Sequence, residues 1–481
     1  MTAKELIIQS VDSRADEYIA ASGRIHDYAE LSYEEFQSMG ELTALLNKEG
    51  FTVETGLVDM PTCFTGKWGS GSPVIGFLGE FDALAGLSQE SGNPKHTPLK
   101  EGAPGHGCGH SLLGVGALAA AVALKDYLQA EAKSGTIIYY GCPAEEGAGS
   151  KQFMARAGLF DCCDFIYTWH PATTNDVANT ASNAIMGANF EFFGLAAHAG
   201  GSPWLGRSAL DACELMNVGC NYLREHIRDG ERVHYAYGDP GGSYPNVVQD
   251  YARLKYEVRA PKVSQMKELF ARVVKIAEGA ALMTETTMKY EITMAFSDEL
   301  NNSVLAGYLT EALRDIGIPE WDESDYALAK AYFDSYDKKT RTNIIAGLKE
   351  RFGSAAVNAP GGILDRPLHS DIIPYDKEKF TQQAGSTDVG DVTYCVPTAE
   401  LHVATACMGN IGHTWQMAGQ AGSTIGMKGM LVAAKVMALA ASRLMDAPDD
   451  IAAAKAETDE RSGGKYECPL PDYVKPPVGK Y

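Results

Sequence analysis

Residues 105–147 read GHGCGHSLLGVGALAAAVALKDYLQAEAKSGTIIYYGCPAEEG, and the order of elements in this stretch decides the fold. From Leu112 to Leu128 the run is rich in Ala and Leu at helical spacing. From Gly135 to Tyr140 it turns β-branched and aromatic, the composition of a buried strand. A helix followed by a strand that closes on Glu145-Glu146 is one unit of an alternating α/β sheet. The neighbouring segments repeat the pattern. Upstream, Ser72–Leu78 is a short apolar run after a Gly/Ser turn, with Glu80-Phe81-Asp82 at its end. Downstream, Phe165–Thr168 is another apolar run, closing on Trp169-His170-Pro171. The prediction is an α/β domain with a mostly parallel sheet, its functional groups at the carboxyl ends of the strands.

Beyond residue 188 the rhythm changes. A strand-like run (Asn189–Phe193) precedes a helix (Ser208–His226), and two further strand-like runs follow (Arg232–Tyr237, Ala252–Arg259). A second helix (Ser264–Met283) and a last strand (Thr287–Thr293) complete a βαββαβ order, the ferredoxin-like motif. After Asn301 helical patterning resumes. The expected organisation is therefore a larger domain of residues 1–187 and 297–481, interrupted by a smaller inserted domain of residues 188–296. The Pro-rich end, Tyr466–Tyr481, reads as an extended tail.

Composition bounds the function. A chain of 481 residues exceeds what one core usually serves, which agrees with two domains. A formal charge of −21 argues against nucleic acid or an anionic membrane as partner, while leaving room for a small anionic substrate in a pocket with local Arg or Lys. The most apolar stretch, Met427–Met445, is broken by Lys428, Lys435 and Arg443, so no membrane span is expected. The opening MTAKELIIQSVDSRAD has acidic residues early and no apolar core of a secretory signal. Ten cysteines in so long a chain do not make a disulfide scaffold. The expected compartment is the cytoplasm.

Three segments carry chemistry. In Gly105-His106-Gly107-Cys108-Gly109-His110, a thiol and an imidazole are one glycine apart, and both reach a common centre only if the backbone turns tightly, as glycine allows. Glu145 and Glu146 are adjacent at a strand end, where successive side chains point in opposing directions, so one carboxylate is free to bind metal while the other faces substrate. His170 closes the third run. Each segment alone also has an ordinary reading: a Gly-rich loop with a buried thiol, a solvated acidic loop, a structural histidine. Their convergence on three successive βα units favours a metal site, because thiolate, imidazole and carboxylate together ligate borderline-soft divalent cations.

Taken in order, the segments GEFDALAGLSQ (79–89), GHGCGH (105–110), YGCPAEEG (140–147), TWHP (168–171), AAHA (196–199), LGRSALDA (205–212), KIAEGAALMTETT (275–287), STDVGDV (386–392) and HTWQ (413–416) resemble the M20 metallopeptidase/amidohydrolase family, in its Cys-Gly-His branch. The resemblance spans essentially the whole chain. It implies two divalent metal ions per subunit, held by Cys108, His110, Glu146, His170 and His413, with Cys108 as the bridge. It makes Glu145 the general base acting on a metal-activated water, and Asp82 an accessory acid that orients a ligand or the base. Asp388 is implied as support behind the ligands. His198 is implied as the oxyanion donor, often across a dimer interface, and Asn246 as an interface and substrate-positioning residue. Arg259 is a fork for the substrate carboxylate, its alternative being a surface strand charge. One departure stands out: where many relatives follow Cys-Gly-His with an acidic or amide residue, this chain has Ser111.

The ligand set leaves the metal open. Thiolate and imidazole favour zinc, and carboxylate-tolerant sites with open positions also suit manganese. The resemblance implies an amidohydrolase that cleaves the amide of an N-acyl amino acid with an aromatic acyl group, of the p-aminobenzoyl-glutamate type. Hippurate-like or indoleacetyl-amino-acid conjugates and dipeptides are the alternatives within enzymes. A partner subunit of a heteromeric hydrolase, with little activity alone, is the alternative from another class. The expected assembly is a homodimer or a heteromer with a homologous subunit.

Overall fold

The sheet predicted from the βα alternation is present in the computed structural model, which describes residues 1–479. The first part of the chain supplies β1 (Thr52–Thr55), β2 (Phe64–Ser70), β3 (Val74–Glu80), β4 (Gly135–Cys142), β5 (Phe165–Ala172), β6 (Asp176–Val177) and β7 (Thr180–Ala181). The middle supplies β8 (Ala184–Phe193), β9 (Arg232–Asp239), β10 (Tyr251–Ala260) and β11 (Thr287–Phe296). Two short strands follow, β12 (Thr381–Gln382) and β13 (Thr398–Ala404). The large sheet has the order β1-β2-β4-β3-β5-β13-β6. Its centre is parallel, because β3 pairs in parallel with both β4 and β5, and β5 with β13. Its margins are antiparallel, through the β1–β2, β2–β4 and β13–β6 pairs.

All eight residues of β4 are buried, as a central strand covered on both faces must be. One cover is the helix His110–Ala130, buried along nearly its whole length. The helix Thr424–Leu444 packs against it. Both helices are long and apolar enough to cross a membrane, yet both are mostly buried inside this fold, where they serve as core helices. Their few charges are paired: Lys125 Nζ lies 2.6 Å from Glu49, and Lys435 Nζ 2.5 Å from Asp12.

The second sheet is antiparallel, in the order β11-β8-β10-β9. The helices Ala209–Leu223 and Val263–Thr284 pack on it. Strand β8 begins at Ala184, five residues before the run that sequence patterning picks out. Ala184–Ala188 is uniformly buried between β10 and β11, so it lacks the alternation that marks a half-exposed strand. The helix expected over Ser208–His226 ends as an α-helix at Leu223 and continues as a 3₁₀ turn, Arg224–His226.

The C-terminal stretch after Gly463 forms no regular element up to Gly479, and Lys480 and Tyr481 lie outside the described residues. It is nonetheless anchored. Leu470 and Val474 are buried, and the Arg156 guanidinium donates to the Pro471 and Val474 carbonyls at 3.1 and 2.9 Å.

Candidate dinuclear metal centre

The parallel centre of the sheet brings β3, β4 and β5 to one edge, and the chemistry-bearing residues collect there. Just beyond β3, the Asp82 carboxylate is fully buried and both oxygens are used. Oδ1 lies 2.9 Å from His110 Nδ1, and Oδ2 accepts from the Glu146 N–H at 2.9 Å. Asp82 thus ties the first turn of the helix His110–Ala130 to the loop after β4. It leaves His110 with only Nε2 for any other partner.

Two glycines bring the remaining loops together. At Gly107 a Cβ would fall 2.4 Å from Leu87 Cδ1 and 3.3 Å from His413 Cα. At Gly109, φ is +84° and a Cβ would meet Pro171 at 3.0 Å. The absence of side chains lets the His413 N–H reach the Gly107 carbonyl at 2.9 Å. His413 itself sits at φ +56°, and Ala144, just before the two glutamates, at φ +61°. Non-glycine residues in this left-handed region carry backbone strain, which is found most often at functional sites.

The side chains then form three overlapping groups, each with ligand atoms within 4.8 Å of one another: Cys108/His110/His170, Cys108/Glu146/His413 and Glu80/His110/Glu145. Cys108 is common to the first two. Its Sγ lies 3.4 Å from His170 Nε2, and His413 Nε2 lies 3.4 Å from Glu146 Oε2. His170 Nδ1 is 2.8 Å from the Pro171 carbonyl, so it carries the proton and Nε2 faces Cys108 with a lone pair. A histidine fixed from behind by a carboxylate or carbonyl is the usual arrangement of a metal-binding imidazole.

A divalent cation fits these residues. Among the described residues, His110 Nε2 and Glu146 Oε1 are buried without a hydrogen-bond partner. Burial pushes the Cys108 thiol well above its usual range and Glu146 adds to this, so a thiolate there calls for a cation. Burial disfavours a charged His110, yet Cys108 and Asp82 hold its pKa well above the ordinary histidine value. Burial, then Glu80 and Asp388, raise the Glu145 carboxyl well above its normal range.

Sequence reasoning missed the frame around these groups. Glu80 Oε2 lies 3.2 Å from His110 Nε2, and Glu80 Oε1 lies 2.7 Å from the fully buried Lys151 Nζ. Lys151 also bonds Asp388 Oδ1 at 2.6 Å, while Asp388 Oδ2 accepts from the Ser150 and Lys151 N–H groups. Asp388, expected from sequence as support, is thus linked to the centre through Lys151 and Glu80, and its charge also bears on Glu145. Glu35, also unforeseen, is fully buried. It braces the glutamate loop by accepting from Ala144 N–H at 2.9 Å and from the Thr62 hydroxyl at 2.7 Å. Burial, followed by the charge of Asp82, raises the Glu35 carboxyl to about 8. Glu80 alone had a local signal, its place two residues before Asp82 at the end of a strand.

Some expectations need revision. Glu145 and Glu146 do not point in opposing directions from a strand end. β4 stops at Cys142, and the turn through Ala144 sends both carboxylates to one cavity of about 270 Å³. Within it Glu146 joins Cys108 and His413, and Glu145 joins Glu80 and His110. His170 lies inside β5, not after it. The Ser111 hydroxyl is buried and bonds none of the described residues. Arg259 does not line the cavity, but its Nη1 donates at 3.0 Å to Ser386 Oγ, and Ser386 does.

His198 and Asn246 stand apart. Both are exposed and neither lines the cavity of this chain. Their loops touch each other: Ala199 N–H donates to the Asn246 carbonyl at 3.0 Å, and His198 bridges Val247. His198 Nδ1 accepts from the Gly200 and Gly201 N–H groups at 3.1 and 3.0 Å, so a neutral imidazole carries its proton on Nε2.

Comparison with known proteins adds to this geometry. A family model described as peptidase family M20/M25/M40 matches residues 76–347. Two relatives are the two named subunits of p-aminobenzoyl-glutamate hydrolase of Escherichia coli (strain K12). The chain is 40% identical to one of them over 98% of each chain. It is 31% identical to the other, over 48% of this chain and 53% of that one. Among solved structures, an aminobenzoyl-glutamate utilization protein from Klebsiella pneumoniae matches with a TM-score of 0.57 and 18% identity, covering 90% of this chain and 97% of that one. A Bacillus subtilis protein described as a dinuclear metal-binding peptidase of the M20 family matches with a TM-score of 0.58 and 15% identity, covering 90% and 99%. These two structural matches bear on the fold.

Proposed function

The chain belongs to the M20/M25/M40 peptidase family, and from that premise we propose that this metal-dependent amidohydrolase cleaves the amide between an aromatic acyl group and an amino acid, with p-aminobenzoyl-glutamate as the type substrate. The observation that carries the reading is the pair of ligand triads sharing Cys108, with Glu145 beside them in one cavity. Identity of 40% along nearly the full length of a protein named for hydrolysis of that substrate supports the choice of acyl and amino-acid halves.

In this reading Cys108, His110 and His170 would hold one cation, and Cys108, Glu146 and His413 the other, either zinc or manganese. When bound, the pair supplies Lewis-acid polarisation of the scissile carbonyl and lowers the pKa of a water towards about 7. Glu145 takes the proton from the attacking water and returns it to the leaving amine nitrogen, which suits a carboxyl whose pKa lies above the usual range. Asp82 positions: it fixes the His110 tautomer and the backbone of Glu146. Arg259, braced on Ser386, receives the substrate carboxylate. His198 Nε2–H donates to the developing oxyanion and Asn246 positions substrate, both from the domain of residues 188–296 acting as lid and dimerisation unit.

The partner is a second copy or a homologous subunit. The relative of 40% identity is named as one subunit of its enzyme, and the enzyme's other subunit is also similar to this chain, which favours a heteromer as the second reading. All ten cysteines are unpaired, which supports the cytoplasm. A screen of aroyl-glutamates, aroyl-aspartates and dipeptides on the metal-loaded protein, alone and with added partner, tests the function. Turnover of none of them removes it.

The two glutamates should separate cleanly. Glu145→Gln is expected to keep both cations and lose about 10²-fold in kcat, the lower range for a general base. Glu146→Gln is expected to weaken metal binding instead. Metal content beside kcat for the two variants decides, and an exchange of the two outcomes would exchange the roles.

A further inference from the structure

The cavity has a second wall that the hydrolytic reading leaves unused. Glu400 and His402 sit two apart on β13, in register with Thr168 and His170 of β5, and both line the cavity. His402 Nδ1 lies 2.7 Å from Asp176 Oδ1, and Nε2 lies 3.0 Å from Glu400 Oε1. Burial opposes a charge on this imidazole, but the two carboxylates push its pKa up to about 10. His402 is thus spoken for, a cation enclosed by its own carboxylates.

Glu299, just after β11, completes the wall. Its Oε2 accepts from the Ser182 N–H at 2.9 Å. Burial, then the charge of Glu400, raises the Glu299 carboxyl to about 7. Ser182, on the same wall, is only 6% exposed. Its hydroxyl lies beside the Glu299 carboxyl and holds its pKa down, without the geometry of a full hydrogen bond. Two carboxyl groups and a buried hydroxyl therefore line the cavity, and each carboxyl keeps one oxygen beyond those bonded to the Ser182 N–H and to His402. An anionic group there meets like charge, and a bare phenyl ring leaves the acceptors dry. A neutral or cationic group with N–H donors satisfies them.

We infer that the wall formed by Glu299, Glu400 and Ser182 binds a hydrogen-bond-donating amino group on the acyl half of the substrate. The inference rests on the amidohydrolase reading and narrows it to amino-substituted aroyl amino acids. The same wall turns the carboxylates of the amino-acid half away, towards Arg259 and Ser386.

Three substrates on the metal-loaded full chain, with its partner added if turnover requires one, test this: 4-aminobenzoyl-glutamate, benzoyl-glutamate and 4-carboxybenzoyl-glutamate. They share one scissile amide and one leaving group. The expected order of kcat/KM is amino, then unsubstituted, then carboxy, with at least about tenfold between the first two. In Glu299→Gln the amino-to-unsubstituted ratio should fall about fivefold, as a carboxyl acceptor gives way to an amide that also presents N–H donors, and in Ser182→Ala it should fall also. A ratio near one in the unmodified protein overturns the inference and leaves the amidohydrolase reading intact. A preference that survives both substitutions also overturns it. Turnover of none of the three removes both readings. Should the variants fail to fold, the ranking by the unmodified protein decides alone.

Discussion

Cys108→Ala is expected to empty both metal positions at once and to lower kcat/KM by about a thousandfold or more. In the proposed assignment the thiol is the one group common to the two ligand triads, so its loss would leave each position with two protein ligands. A bound cation contributes several kcal/mol to the transition state of carbonyl hydrolysis, and each 1.36 kcal/mol is a factor of about ten in rate. His413→Ala gives the contrast. It touches only the triad with Glu146, so it should remove one cation and spare the one held by Cys108, His110 and His170. Elemental analysis of the two purified variants reads the difference directly. Two tightly held metals and full activity in Cys108→Ala would sink the assignment of the shared ligand.

Why the candidate ligand segments are legible in sequence, while Lys151 and Glu35 behind them are not, is a matter of range. The strands announce themselves locally, by apolar runs that end in polar turns, and a parallel sheet brings such ends to one edge. Whereas the choice of Cys108 and of Glu146 over Glu145 as ligands comes with the family resemblance, that logic reaches the Glu145-Glu146 pair and His170 without knowledge of any contact between them. It fails where a role depends on a partner far along the chain. Lys151 is an ordinary helix-start lysine in sequence, and only folding sets it between Glu80 and Asp388. Glu35 supports a loop 109 residues away through the Ala144 N–H. Nor does sequence show that the turn through Ala144 adopts a left-handed conformation, which is what turns both glutamates into one cavity. The start of β8 was hidden for a different reason: a strand buried on both faces has no alternation to read.

The loops beside the second sheet depend on long-range partners in the same way. His198 and Asn246 are adjacent to each other but absent from the cavity of their own chain. His198 is prepared as a donor, because two backbone N–H groups occupy Nδ1 and leave the proton on Nε2, directed to none of the described residues. Around it Leu195, Trp204, Leu205, Tyr244 and Val247 are all exposed, an apolar surface of the kind that marks a protein contact. In the proposed mechanism, a donor on an exposed apolar surface and away from its own cavity is placed to serve a neighbour's site. His198→Ala is therefore expected to lower kcat by about 10²–10³-fold, the effect of removing one oxyanion donor, with metal content and oligomeric state unchanged. Mixing inactive Glu145→Gln chains with inactive His198→Ala chains should restore part of the activity. Each mixed pair then contains one site with an intact Glu145 and a partner's intact His198. Loss of activity without rescue would place the histidine in its own subunit's reaction, and an unaffected kcat would remove it from the mechanism.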